Sequence, residues 1–306
     1  MSNKIILGSR GSKLSIAYAN KVLSLLSNIK PALDKEVILK TIKTSGDLFD
    51  KKKISEIGGK NLFCKEIEDK LISKEIDIAV HSLKDLDSVE TDGLVIQAYL
   101  KRNDPRDTLV SSKFKKLSEL NGQKIGSSSR RRELQLKQLN RNIKVESIRG
   151  NIDTRIKKIE NGEYDGAILA LAGLKVLNLE KYAKEIFSLK DFLPTAGQGI
   201  VAVQCRAQDD HIKKILKEIN HKETETCALA ERSFLKTLGG DCDTAVGCTA
   251  ILNKKDIELK AQLFSDDGTK VFNITKTGKG NEPEVLGKLA GEEILKQSGK
   301  NFIKKR

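Results

Sequence analysis

The chain has 306 residues, 38% of them hydrophobic and 32% charged, with a formal net charge of +14 at neutral pH. This composition is typical of a soluble protein with room for two or three domains, and it lacks the run of roughly 20 apolar residues that a membrane span needs. The N-terminal segment has no signal-peptide pattern, so we expect a cytoplasmic protein that does not associate with membranes.

Strand-like and helix-like segments alternate along the first two thirds of the chain. Short apolar runs predict strands, and apolar residues at helical spacing predict helices. The predicted strands are Lys4 to Gly8, Val37 to Ile42, Ile76 to Val80, Gln123 to Gly126, Ile143 to Ile148, Gly166 to Leu171 and Gly199 to Gln204; the predicted helices are Leu14 to Leu26, Leu62 to Ile72, Arg131 to Leu139 and Ile152 to Ile159. This alternation favours two α/β units with largely parallel sheets, but the pattern does not tell which sheet the last strand joins.

The last section of the chain has a different pattern. A helix is predicted over Glu223 to Leu238, ending at a glycine pair. Three strand-like runs and a closing helix follow it, at Ala245 to Ile251, Ile257 to Phe264, Val271 to Thr275 and Glu284 to Gln297. Ser265 to Gly268 is typical of a hairpin turn. We therefore expect a small α+β module with an antiparallel sheet.

Four of the predicted strands are followed by the same kinds of residue. The clusters are Ser9 to Ser12, His81 to Asp85, Ser127 to Arg132 and Arg149 to Asn151, with Arg155 one turn later. Ligands of open α/β sheets bind beyond the carboxyl ends of the strands, and hydroxyls, helix N-terminal amides and arginines bind carboxylates or phosphates. Arginine dominates the clusters although lysine dominates elsewhere, which favours bidentate recognition of carboxylates.

A carboxylate site is one of three interpretations of these clusters. The serines could instead cap helices while the arginines lie on the surface. For any single cluster, this interpretation explains the residues about as well as a carboxylate site does. Nucleic acid is another anion that a basic protein attracts. Aromatic residues are only 4% of the chain, however, and tryptophan is absent. No nucleic-acid-binding motif or phosphate loop is present either, so we expect no nucleic-acid partner.

Two single residues are further candidates. Asp85 is the one carboxylate among the cations at these strand ends, where it could stabilise a cationic transition state or move protons. A slightly simpler interpretation is that Asp85 is a turn aspartate paired with Lys84. Cys242 lies in a loop between Asp241 and Asp243, whose charges disfavour a thiolate. The cysteines and histidines show no CxxC or HExxH spacing, so we expect neither a disulfide framework nor a metal site.

Nine segments in a fixed order resemble the porphobilinogen deaminase family over essentially the whole chain. They are GSRGSKLS from Gly8, IGGKNLFCKE from Ile57, IDIAVHSLKD from Ile76, DPRD from Asp104, SSSRRRE from Ser127, SIRGNIDTR from Ser147, NGEYDGAILALAGL from Asn161, LPTAGQGIVAVQCR from Leu193 and GGDC from Gly239. No single segment is decisive, but their ordered set is highly specific.

The resemblance implies a fold of three domains. Two α/β domains similar to periplasmic binding proteins comprise residues 1–99 with about 200–220, and residues 100–199. A small C-terminal α+β domain with an antiparallel sheet comprises residues 221–306 and carries the cofactor cysteine. The chain is thus expected to cross back into the first domain near residue 200.

The resemblance also implies an activity. The family's enzymes are transferases that join four porphobilinogen molecules into hydroxymethylbilane, releasing ammonia, in tetrapyrrole and haem biosynthesis. Chain growth takes place on a dipyrromethane cofactor, which the resemblance attaches covalently to Cys242, and Asp85 matches the catalytic carboxylate. The cofactor-binding residues that match are Lys84, Ser128, Ser129, Arg131, Arg132 and Arg155; the substrate-binding residues are Arg10, Ser12, Lys60, Arg149 and Arg155. We expect a monomer.

The chain departs from the family pattern at a few positions. Glu56 stands where many members have a lysine, Val176 where arginine is common, and Asp241 and Asp243 flank the cofactor cysteine in place of a glycine and a glutamine. The polar loop from Ser45 to Gly59 is expected to form a lid. A non-catalytic anion-binding protein of the same two-lobed form stays a rival hypothesis, because a fold does not imply a function.

Overall fold

The computed structural model describes residues 4–29, 36–45, 64–239, 244–299 and 302. The chain divides into two compact units. The first unit comprises Met1–Asn103 and Gly199–Ala228, and the second comprises Asp104–Gln198 and Leu229–Arg306. Among the described helices, none is both long enough and apolar enough to cross a membrane.

The described part of the chain contains both strands and helices. In chain order the strands are β1 (Lys4–Arg10), β2 (Glu36–Ile42), β3 (Ile78–Ser82), β4 (Leu94–Tyr99), β5 (Asp107–Val110), β6 (Lys124–Gly126), β7 (Lys144–Glu146), β8 (Gly166–Ala170), β9 (Ala183–Ile186), β10 (Val201–Arg206), β11 (Val246–Asn253), β12 (Asp256–Phe264) and β13 (Val271–Lys279). The α-helices are α1 (Lys13–Asn28), α2 (Lys65–Ile72), α3 (Arg130–Leu139), α4 (Ile152–Glu160), α5 (Leu171–Val176), α6 (Asp210–Lys217), α7 (Lys222–Leu238) and α8 (Pro283–Ser298).

The first unit contains a five-stranded sheet in the order β2-β1-β3-β10-β4. Strands β1, β2 and β3 are mutually parallel, and β10 runs antiparallel to both of its neighbours. The central strands are buried along nearly their whole length, which explains their continuous apolar sequences. Helix α1 buries Tyr18, Ala19, Val22 and Leu26, a stripe at the spacing of an amphipathic helix.

The second unit contains a five-stranded sheet with the corresponding arrangement, in the order β7-β6-β8-β5-β9. Its strands β6, β7 and β8 are parallel, and β5 runs antiparallel between β8 and β9. The core on this sheet includes Leu109, Ile125, Leu136, Ile168 and Phe192. In both sheets one antiparallel strand therefore lies in the fourth position, next to an edge.

A separate antiparallel sheet of β11, β12 and β13 belongs to the second unit. Gly268 has a φ of 73° in the turn between β12 and β13, a left-handed conformation that favours glycine. Helix α8 approaches α7 closely at Gly287, where an added Cβ would lie 2.2 Å from the carbonyl oxygen of Ala230. These elements confirm the predicted hairpin turn and the α+β module with an antiparallel sheet.

The structure also adds to the predicted fold. The two largely parallel α/β sheets are confirmed, since four of the five strands in each point the same way, and the single reversed strands are β10 and β5. Five elements were not predicted from the sequence pattern, namely β4, β5, β9, α5 and α6. The expected lid beyond Ser45 lies outside the described residues.

Candidate active site

Two strand ends meet in the first unit. Strands β1 and β3 are parallel neighbours, with Leu7 opposite Ile78, so their carboxyl ends lie at the same edge of the sheet. Arg10 is the last residue of β1, and a 3-10 turn, Leu83–Asp85, follows β3. The first two clusters expected from the sequence are therefore brought together.

The backbone around Asp85 is fixed by buried neighbours. Leu83 is buried, and its N–H donates a hydrogen bond to the carbonyl oxygen of Ile200 at 3.0 Å. The thiol of Cys64, at the start of α2, donates to the carbonyl oxygen of Asp85 at 3.3 Å. The half-buried carboxylate of Asp85 is thus presented by a rigid turn, which is a requirement for a residue that acts by position.

Asp85 lies in a small recess that opens to solvent. The residues that line it come from β1, α1, the N-cap of α2, β3 and the turn after β3; they are Arg10, Ser15, Tyr18, Cys64, Val80, His81, Ser82 and Asp85. Of these residues, Arg10 and Asp85 are the carriers of formal charge.

Three titratable groups of the recess stay neutral at neutral pH. Burial, and to a smaller extent the charge of Asp85, raises the pKa of Tyr18 to about 12. The same two causes, burial first, raise the pKa of the Cys64 thiol well above its usual range. Burial lowers the pKa of His81 to about 4, although a hydrogen bond with Gln204 opposes it. His81 is therefore an uncharged imidazole, and the field in the recess comes from Arg10 and Asp85.

Two further strand ends meet in the second unit. Strands β6 and β7 are parallel neighbours, and the N–H of Ser127 donates to the carbonyl oxygen of Glu146 at 2.8 Å. The hydroxyl of Ser128 donates to the carbonyl oxygen of Ile148 at 2.7 Å. The cluster after β6 is therefore hydrogen-bonded to the end of β7 and to Ile148, the residue that precedes the cluster after β7.

Helix capping accounts for part of the serine pattern. Ser12 is the N-cap of α1 and accepts a hydrogen bond from the N–H of Ser15 at 3.2 Å. Ser129 is the N-cap of α3 and accepts one from the N–H of Arg132 at 3.5 Å. The simple interpretation that serines cap helices is thus correct for these two hydroxyls.

Arg131 and Arg132 share one buried carboxylate, that of Asp107. Nη2 of Arg132 lies 2.7 Å from Oδ1 of Asp107, and Nη2 of Arg131 lies 3.0 Å from Oδ2. Arg132 also donates to the carbonyl oxygen of Ile168 at 3.1 Å, and Arg131 to that of Leu193 at 2.6 Å. Gln198 completes the cluster, donating from Nε2 to Asp107 Oδ1 at 2.9 Å. All three charged side chains are buried.

The cluster contains two positive charges and one negative charge. Burial is the largest influence on Asp107 and raises its pKa, but the guanidiniums of Arg132 and Arg131 and the hydrogen bonds outweigh burial and hold the pKa at about 2. Burial, together with the neighbouring charge of Arg132, lowers the pKa of Arg131 to about 10. Nε of both arginines has no hydrogen-bond partner among the described residues. The cluster therefore carries one positive charge more than its carboxylate neutralises, which fits a nearby carboxylate-bearing group.

Arg149 and Arg155 differ from the buried pair. Arg155 is half-buried and donates from Nε to the carbonyl oxygen of Gly150 at 2.7 Å. Gly150 has a φ of 102°, and an added Cβ would meet Thr154 at 2.7 Å, so the turn after β7 requires glycine. Arg149 is half-buried as well, and its guanidinium makes no ion pair within the described part of the chain.

The structure thus brings the described candidate residues together at two sheet edges, one in each unit, and two of the predicted clusters meet at each edge. Arg10, Ser12, Lys84 and Asp85 lie at one sheet edge of the first unit, and Ser128, Ser129, Arg131, Arg132, Arg149 and Arg155 lie at one edge of the second. Lys60 and Cys242 are outside the described residues. Two residues of interest were missed: Tyr18, which follows Ser15 by three positions on one helix face, and Asp107, the last residue of the DPRD segment.

Two protein-family models match the chain. Residues 5–214 match the porphobilinogen deaminase, dipyromethane cofactor binding domain, and residues 225–296 match the porphobilinogen deaminase C-terminal domain. The porphobilinogen deaminase of Nitrobacter hamburgensis is 38% identical over 97% of this chain and 94% of that protein. The porphobilinogen deaminase of Brevibacillus brevis is 42% identical over 97% of this chain and 96% of its own length.

Comparison with solved structures gives a more distant likeness. The periplasmic VFT2 domain of Bordetella pertussis BvgS aligns with 71% of this chain and 86% of its own, at 13% identity and a TM-score of 0.44. The family models and the relatives carry the assignment, and they confirm the resemblance drawn from the ordered segments. The chain belongs to the porphobilinogen deaminase family, the transferases that polymerise porphobilinogen into hydroxymethylbilane in tetrapyrrole biosynthesis.

Proposed function

We propose that Asp85 is the catalytic carboxylate of this enzyme and that the surrounding cations bind the carboxylates of substrate and growing chain. The observation that carries the proposal is the recess in which Asp85 and Arg10 are the charged lining residues. Loss of ammonia from porphobilinogen leaves positive charge on the pyrrole ring. A fixed carboxylate within hydrogen-bond reach of the ring nitrogen stabilises that charge and accepts the proton that each coupling releases.

The neutrality of the remaining titratable groups in the recess supports this role. Tyr18, Cys64 and His81 hold no charge at neutral pH, so none of them competes with Asp85 for a cationic ring. Arg10 binds a substrate carboxylate, and Ser12 and Lys84 assist from the same sheet edge. Lys60 and Arg149 belong to the same substrate-binding set.

The cofactor-binding part of the proposal concerns mainly the second unit. Lys84, Ser128, Ser129, Arg131, Arg132 and Arg155 hold the carboxylates of dipyrromethane, and Cys242 is the point of attachment. The bound dipyrromethane supplies the pyrrole carbon to which the chain is extended. The excess positive charge around Asp107 supports an anionic ligand here, since a buried cation in excess of its partners favours an incoming carboxylate.

The proposal includes the organisation of the protein. It comprises three domains, residues 1–99 with about 200–220, residues 100–199, and residues 221–306, in a cytoplasmic monomer without membrane association. Sedimentation equilibrium of the purified protein tests the monomer, and a dimer at micromolar concentration would contradict it.

Asp85→Asn tests the catalytic assignment because it removes the charge and keeps the size. We expect turnover to fall by about 10²–10⁴-fold, the usual range for a positioned acid–base group, and Asp85→Glu to retain more activity. Rates are measured on enzyme whose cofactor content has been verified by intact mass. Asp87→Asn, two residues further along the chain, is the matched control and should stay within tenfold of wild type. Near wild-type turnover of loaded Asp85→Asn would require another catalytic residue.

A further inference from the structure

Tyr18 is a lining residue of the recess for which the proposed mechanism has no role so far. It lies on α1 three positions after Ser15, and both side chains line the recess that contains Asp85. The Tyr18 side chain is nearly completely buried, with 6% of its surface exposed. Because Tyr18 sits within the rigid first turns of a capped helix, the position of its phenol ring is well defined.

The hydroxyl of Tyr18 has no hydrogen-bond partner among the described residues. The tyrosines of the second unit differ: the hydroxyl of Tyr164 donates to the carbonyl oxygen of Ser147 at 2.7 Å, and that of Tyr182 to Glu160 at 2.9 Å. The Tyr18 oxygen is not one of the fully buried polar atoms that lack a partner, so it is open to the recess and to water. A hydroxyl that is open while its residue is almost wholly buried in the wall of a recess is a group to which a ligand can bond.

Electrostatics decide which part of a ligand the Tyr18 hydroxyl can contact. Asp85 is the charged residue that acts on it, and the phenol stays protonated at neutral pH. The negative field of Asp85 draws the hydroxyl proton toward the carboxylate and leaves the oxygen lone pairs for a donor. Porphobilinogen offers two carboxylates, which Asp85 repels, and a protonated aminomethyl group, which Asp85 attracts.

We infer that Tyr18 is a substrate-binding residue whose phenol oxygen accepts a hydrogen bond from the aminomethyl ammonium of porphobilinogen. The inference rests on the proposed function of Asp85. In the deamination, the carbon–nitrogen bond breaks, its electron pair leaves with the nitrogen as ammonia, and the positive charge passes to the pyrrole ring. The hydrogen bond to Tyr18 weakens as the nitrogen loses its charge, so Tyr18 contributes to substrate binding more than to the chemical step.

Tyr18→Phe removes the hydroxyl and keeps the ring. Hydrogen bonds to charged groups correspond to about 10- to 100-fold in affinity, so we expect KM for porphobilinogen to rise by about that factor, while kcat changes only a few-fold. The second ligand is a pyrrole with the same acetate and propionate but a methyl group in place of aminomethyl. Its Kd, measured by calorimetry on the cofactor-loaded enzyme, should be unchanged in Tyr18→Phe.

Thermal unfolding and a control variant separate this contact from a structural role. The Tm of Tyr18→Phe should equal or exceed that of wild type, because no internal hydrogen bond is lost. Tyr182→Phe removes an exposed hydroxyl of the second unit and should leave KM, kcat and the Kd of the methyl probe unchanged.

Two results would overturn the inference. One is that Tyr18→Phe weakens the binding of porphobilinogen and of the methyl probe equally, which would mean that the hydroxyl contacts a carboxylate. The other is that the KM of Tyr18→Phe for porphobilinogen is unchanged. The Asp85→Asn variant separates the two proposals. If it turned over normally while Tyr18→Phe still weakened only the amine-bearing ligand, the catalytic assignment would fail and the amine contact would stand.

Discussion

Asp107 and Asp104 provide a matched test of how burial changes the energetic role of an ion pair. Both carboxyls have a pKa of about 2, compared with an ordinary value of 3.8. The side chain of Asp107 is inaccessible to solvent and pairs with two buried arginines. Asp104, with 14% of its side chain exposed, pairs with Arg106 and Lys175, whose side chains are 40% and 47% exposed. The same pKa therefore arises in a buried cluster and at a partly exposed pair.

Asp107→Asn should strongly destabilise the second unit. The lowered pKa of Asp107 corresponds to roughly 2–3 kcal/mol of pH-dependent stability, since each pKa unit is worth about 1.4 kcal/mol. Removing the charge also leaves two guanidiniums buried without a counter-ion, and breaking a buried pair costs about 3–5 kcal/mol. We take about 3–5 kcal/mol as the expected loss. Asp104→Asn should cost about 1 kcal/mol or less, because the partner cations of Asp104 are exposed and solvent screens their charge.

Hydrogen exchange of peptides from β5 and α3 in increasing urea measures the free energy of opening in this unit, without assuming that the whole chain unfolds in one step. The pH dependence adds a second signature. A carboxyl with a depressed pKa stabilises the fold above pH 4 and loses that contribution as the pH falls from about 4 to about 2. Wild type should lose this stability on acidification and Asp107→Asn should not. Equal destabilisation by Asp107→Asn and Asp104→Asn at pH 7 would refute the reasoning.

The remaining predictions concern the cofactor and the arginines. The mass of the purified protein should exceed that of its chain by one dipyrromethane. Cys242→Ala should abolish the adduct and the activity, whereas the adduct should persist in Cys64→Ala, Cys205→Ala, Cys227→Ala and Cys248→Ala. A wild-type protein that is active without the adduct would contradict the assignment. Arg149→Leu should block chain initiation or extension at unchanged stability, because its guanidinium has no ion pair among the described residues, whereas Arg132→Leu should also lower stability, because Arg132 pairs with Asp107. Enzyme–substrate intermediates that form normally in Arg149→Leu, resolved by native mass spectrometry, would count against the carboxylate-binding model.

The sequence by itself determined the main helices and strands and the chemistry of the strand ends. Apolar runs such as Ile76 to Val80 and the stripe of α1 are local patterns, because burial repeats with the period of each element. The sequence also assigned the family, since nine ordered segments are more specific than any one of them. Asp85 and Cys242 came from that order, not from their spacing, which left a purely structural role open for both.

Strand pairing was decided only by the tertiary structure. Strand β10 is apolar in sequence, but its insertion between β3 and β4 joins residues more than 100 positions apart, and a local pattern does not encode such a partner. Strand β5 has four residues, and β9 has alternating exposure at a sheet edge. Segments this short carry too little periodicity for recognition.

The roles of individual side chains were also a property of the tertiary structure. The run from Arg130 to Arg132 is uniform in sequence, yet Arg130 donates to the carbonyl oxygen of Asp266, and the next two residues share buried Asp107. Tyr18 has the same helical spacing as its apolar neighbours, and only the packed helix shows that its ring reaches the recess of Asp85. Residue type and period determine whether a side chain is buried, whereas its partners depend on contacts between segments that are distant in the chain.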